Sequence, residues 1–143
     1  MRIRASERWR DNWRVVAPAG AATIHVPRRG RQAGTEGVAR LPAGTPVVLV
    51  APGVGAARRC DAFVAEHGIE IGREYLAFPS AEAPAYLVED DAGPARLFSR
   101  TVLAAPPGAP LVLRAGISLL RKLPARASLR ALAPGRLVVG TTR

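Results

Sequence analysis

The most regular hydrophobic pattern in the chain lies in residues 45–80. Pro46 precedes Val47-Val48-Leu49-Val50, an unbroken apolar run of strand length. Such a run suits a strand buried on both faces, because neither side of it has to meet water. Residues 51–55 carry Pro52, Gly53 and Gly55 and predict a turn. Over 56–67 the apolar residues Ala56, Cys60, Phe63 and Val64 recur at helical spacing, and Gly68 stands where a C-terminal glycine cap belongs. Residues 69–78 supply a second strand whose apolar end is Tyr75, Leu76 and Phe78. Strand, glycine turn, helix and strand make a βαβ unit, which predicts parallel strands joined by a right-handed crossover.

The flanks are less regular. Ser6 can cap an amphipathic helix within residues 1–14, with Trp9, Trp13 and Val16 on one face and the i,i+3 pairs Glu7–Arg10 and Asp11–Arg14 on others. The tryptophan face either docks on the core or meets a protein partner or a membrane surface. Val15-Val16 and residues 23–26, around Pro18 and Gly20, suggest an N-terminal β-hairpin. Residues 28–44 suggest a loop with at most one short strand. Downstream, 85–88 predicts a strand, and Pro94 helps start a helix that runs to about residue 104. Residues 106–110 break the chain with three prolines. A short strand at 111–113, short helices at 118–123 and 126–132, and a final strand at 137–139 complete the pattern. The expectation is a single α/β domain over 1–143, with mainly parallel central strands and flanking helices.

Composition narrows the class. A chain of 143 residues, 48% hydrophobic, has the size and apolar content to fold without staples. Its one cysteine, Cys60, excludes an intramolecular disulfide and a cysteine-rich zinc site. Residues 1–14 are charged, without the apolar core of a secretory signal, and no apolar run reaches membrane-spanning length. A cytoplasmic protein is expected. The net charge of +10 invites nucleic acid as a partner, yet 20 of the 21 basic residues are arginine. That skew, with abundant alanine, glycine and proline, is what a GC-rich coding sequence produces, so the total says little by itself. The distribution says more: residues 61–91 hold eight acids and one base, whereas 92–143 hold nine bases and no acid. Aromatic residues do not interleave with this basic tail, which argues against base stacking on single strands.

The candidate ligand site is the turn at Gly53, Gly55 and Ala56. Glycines let a ligand approach the backbone, and the following helix start presents unpaired N–H groups. A full dinucleotide fingerprint would place a third glycine at position 58, which is Arg58 here. Val47 to Gly55 resembles the first strand and glycine loop of class I S-adenosylmethionine-dependent methyltransferases. Leu132-Ala133-Pro134-Gly135-Arg136-Leu137-Val138-Val139 resembles the entry to a later strand of that family. The resemblance implies a reduced Rossmann-like domain, with S-adenosylmethionine or a nucleotide as the candidate cofactor.

No catalytic residue and no metal site is assigned. His25 and His67 share no ligand spacing, and Cys60 lacks an activating base. Glu89-Asp90-Asp91 suits a cation, sugar hydroxyls or a solvated turn. Residues 111–143 are basic and amphipathic, with Leu119, Leu120, Leu123, Leu129 and Leu132 against Arg114, Arg121, Lys122, Arg126 and Arg130. This suits an anionic membrane surface, or core helices with arginines outward. Three functions stay open: a degenerate methyltransferase-like or nucleotide-sugar-related accessory protein, an adaptor for a protein or anionic membrane, and, less favoured, an arginine-driven nucleic-acid binder. Whether the protein is an enzyme is also open.

Overall fold

The structure is a computed structural model, described here for residues 9–28, 35–102 and 107–143. Five strands form one mixed sheet: β1 (Ala22–His25), β2 (Pro46–Pro52), β3 (Ile69–Phe78), β4 (Tyr86–Glu89) and β5 (Gly135–Thr142). Their order is β1-β2-β5-β3-β4. The helices are α1 (Thr35–Ala39), α2 (Ala56–His67), α3 (Ala92–Thr101), α4 (Leu111–Lys122) and α5 (Ala125–Leu132). Among the described residues, no helix is long and apolar enough to cross a membrane.

The topology corrects the expected Rossmann-like sheet. Only β1 and β2 pair in parallel, while β2–β5, β5–β3 and β3–β4 are all antiparallel. The strand–turn–helix–strand unit exists as β2–α2–β3, but its two strands do not touch, because β5 lies between them. β5 can take that place because its residues 135–138 are fully sequestered and suit a central position as well as β2 does. The two stretches that resemble methyltransferase strands therefore pair antiparallel, from Pro46 opposite Thr141 to Pro52 opposite Gly135. Gly135 has no room for a side chain: a Cβ there would stand 2.5 Å from the Ala81 amide nitrogen.

Cross-strand partners share a face, so the registers sort the side chains. Ile24, Val47, Leu49, Ala51 and Val138 face α1 and α2, packing on Val38, Ala56, Cys60 and Phe63. Leu76 and Val88 continue the same face toward α3 and α5, against Ala95, Phe98 and Leu129. The helices thus form a single layer on one face. On the other face Val48, Val50, Tyr75 and Leu137 are covered by Trp13 and Ala81. Val47 to Ala51 are wholly buried, each larger side chain contributing about 1.5–3 kcal/mol of apolar burial.

The N-terminal expectations also change. Residues 1–8 lie outside the described residues, so the proposed cap at Ser6 does too. Asn12–Val16 is a 3-10 turn, tied to the sheet side by the Asp11 N–H donating to the Glu82 carbonyl at 2.9 Å. Val15-Val16 forms no hairpin with β1, whose partner is β2. Part of the stretch read as a loop is helix α1. The leucine-rich stretch at 111–113 is the first turn of α4 and not a strand.

Candidate functional site

Helix α4 starts after the prolines, with the Arg114 N–H donating to the Pro110 carbonyl at 3.1 Å. Arg114, Ser118, Arg121 and Lys122 then recur at steps of four, three and one, which places them on one stripe of the helix. Leu111 lies within that stripe, Val112 and Leu119 lie beside it, and these three are not used by the core. Leu111 is 82% exposed, Val112 86% and Leu119 63%. Ile117 is half-buried beside Leu129 and Leu132 of α5. Leu123 and Leu132, both about half exposed, extend the apolar surface. The helix thus leaves apolar side chains in water beside a polar stripe whose charges are all positive.

Beneath α4, α5 is clamped to the sheet by charge. Arg126 and Arg130, four residues apart on α5, both reach Asp90 at the end of β4. Arg126 Nε donates to Asp90 Oδ1 at 2.9 Å, and Arg130 Nη1 donates to Oδ2 at 2.8 Å. Arg130 Nη2 also donates to both carboxylate oxygens of Asp61 on α2, at 3.0 and 2.8 Å. Arg136 on β5, fully buried, lies 2.6 Å from Glu74, 3.3 Å from Asp61 and 3.5 Å from Asp90. Three guanidinium groups meet three carboxylates, so the seam is neutral. The Arg136 contacts are ion pairs by distance, but its N–H groups are not aligned as hydrogen bonds. The hydrogen bond and charge of Asp90 raise the pKa of Arg126. Burial pulls Arg130 down, but Asp61, Asp90 and Glu74 outweigh it and leave it raised.

Cys60 packs behind this seam with no exposure. Burial pushes its thiol from 9.0 up to about 12, against the opposing pull of Arg136. The thiol is therefore inert at neutral pH. Above pH 9 the unfolded chain loses this proton while the folded protein keeps it, so stability falls as pH rises from 9 toward 12. The window is worth up to about 4 kcal/mol. Urea midpoints should drop more steeply between pH 9 and 11 for the native chain than for Cys60→Ala; parallel slopes would count against the buried thiol.

The glycine turn is real. Gly53 and Gly55 have φ of 82° and 78°, in the left-handed region that glycine adopts without strain. Gly53 N–H donates to the Pro134 carbonyl at 2.6 Å, and Ala56, the first residue of α2, is buried. Two arginines occupy the turn. The Arg59 guanidinium donates to the carbonyls of Pro52 and Val54, and the end of Arg28 lies 3.0 Å from where a Gly53 Cβ would be.

The expected partner residues divide. Trp13 is 4% exposed and belongs to the core, so it cannot offer the partner contact considered for it, whereas Trp9 is 42% exposed. Of the basic residues expected to face an anionic surface, Arg126 and Arg130 are held by Asp90 and Asp61. Arg114, Arg121 and Lys122 remain on the outside of α4. The charged seam was missed in the sequence; its only local trace is the four-residue spacing of Arg126 and Arg130. The class defined so far is a two-layer α/β domain with an external basic amphipathic helix. The chain matches no known family model, no curated protein and no solved structure.

Proposed function

We propose that this domain is a peripheral docking module that lays α4 on an anionic membrane surface. The carrying observation is the exposed apolar face of α4 beside a stripe whose charges, Arg114, Arg121 and Lys122, are all positive. The acid-free run from 92 to 143 removes any local repulsion from anionic lipid. Each cation near such a surface contributes about 1 kcal/mol. Insertion of Val112 and Leu119 adds roughly 1.5–3 kcal/mol per side chain when burial is complete. The cytoplasmic placement expected from the sequence belongs to this proposal, since the cytoplasmic leaflet carries the negative surface potential.

Co-sedimentation with vesicles tests it. Binding is expected to mixed phosphatidylglycerol–phosphatidylcholine vesicles and not to phosphatidylcholine alone. Leu119→Glu, at an exposed position, should weaken it by at least about tenfold, because a carboxylate replaces an inserted leucine. Equal uptake by neutral vesicles, indifference to Leu119→Glu, or retention of the protein by an RNA homopolymer with no vesicle binding would overturn the proposal.

A further inference from the structure

Beside the apolar face of α4 lies a cleft of about 620 Å³ whose walls include Arg96 and Arg100 of α3 and Arg121 of α4. Arg96 and Arg100 are one helical turn apart, and Arg121 is held against the end of α3 by a 3.5 Å contact from Nη2 to the Arg100 carbonyl. Among the described residues, none of the three forms an ion pair with a carboxylate. This contrasts with the seam on the other side of α5, where every guanidinium faces acid. Three arginines around one cleft, without carboxylate partners among the described residues, leave its walls positively charged and attractive to an anion. A second observation gives the anion a shape. Ser99, Arg121 and Ala125 also border an apolar slot of about 50 Å³, completed by Ile117, Leu129 and Leu132. Charged cleft and apolar slot thus adjoin across Ser99, Arg121 and Ala125.

We infer that this cleft binds the phosphate-monoester headgroup of an anionic lipid, with the adjoining slot receiving the first methylenes of its tail. A phosphate monoester carries nearly two negative charges at neutral pH and three acceptor oxygens. Planar guanidinium forks pair with such oxygens two at a time. A diester headgroup carries a single charge and offers fewer free oxygens, so it fits three arginines less well. The inference rests on the docking proposal and adds the identity of the headgroup.

The test compares phosphatidic acid with phosphatidylglycerol in vesicles of matched surface charge. The native chain should prefer phosphatidic acid by about tenfold. Arg96→Gln/Arg100→Gln, at exposed positions, should lose that preference and bind both vesicles equally, with phosphatidylglycerol binding reduced by no more than the loss of two surface cations gives. Soluble dihexanoyl phosphatidic acid should shift the amide resonances of Ser99, Arg100 and Ala125 in the native chain and leave them unmoved in the double variant. Equal binding to both vesicles would overturn the headgroup inference and leave docking intact. Failure of all vesicle binding, with the resonance shifts still present, would remove docking and support the cleft. Equal shifts from inorganic phosphate at the same concentration would overturn the role of the tail.

Discussion

Asp90→Ala is expected to cost about 3–5 kcal/mol of folding stability, the range for removing one partner of a buried ion pair. The Asp90 side chain is fully buried and accepts from two arginines, with a third guanidinium 3.5 Å away. Its loss leaves Arg136 buried with, among the described residues, only Asp61 and Glu74 as carboxylate neighbours, and it takes from Arg126 the carboxylate it pairs with. A domain of this size has roughly 5–15 kcal/mol in total, so the loss is a large fraction of it and should lower the urea midpoint strongly. Urea titration followed by circular dichroism measures the change. A loss below about 1 kcal/mol would mean that the seam is solvated in the manner of a surface pair. Asp91→Ala, one residue along but exposed, is the matching control and should move the midpoint little.

Trp13→Ala should cost a similar amount, about 3–5 kcal/mol, as large aromatic truncations in cores do. Trp13 packs over Val48, Val50, Tyr75, Ala77 and Leu137 on the face of the sheet that carries no helix. The 3-10 turn is a short cover, so little else can close over the gap. Trp9→Ala, at a half-exposed position, should change stability by less than about 1 kcal/mol. If the two variants were equally stable, the placement of Trp13 in the core would be wrong, and its role as a partner contact would return.

The βαβ segment was legible because local periodicity carried it. The unbroken run at Val47 to Val50, the spacing of Ala56, Cys60 and Phe63, and the cap at Gly68 each reflect short-range physics. The identity of the strand beside β2 was not legible. A strand buried on both faces has the same apolar pattern whether its neighbour is parallel or antiparallel, and Leu137-Val138 satisfies either arrangement. Leu111-Val112-Leu113 looked like a strand because its apolar residues are consecutive; the spacing of Arg114, Ser118, Arg121 and Lys122, read as one stripe, would have shown a helix. Of the proposed docking surface, the basic residues of α4 were visible in advance. Arg96 and Arg100 were not, since their meeting with Arg121 depends on how α3 and α4 pack. Asp90 was obscured by its neighbours: Glu89-Asp90-Asp91 looks solvated, and only a fold that brings residues 126, 130 and 136 to one place shows that the middle acid is buried.

The position of β5 has a consequence for how the domain assembles. Its pairing with β2 joins residues 46–52 to 135–141, and its pairing with β3 joins 69–76 to 136–142. Until that strand docks, β1–β2 and β3–β4 are two separate ribbons, each too small to hold together alone. Closing such distant contacts is slow and entropically demanding. Strand β5 is thus the keystone of an arch, the piece without which neither side stands.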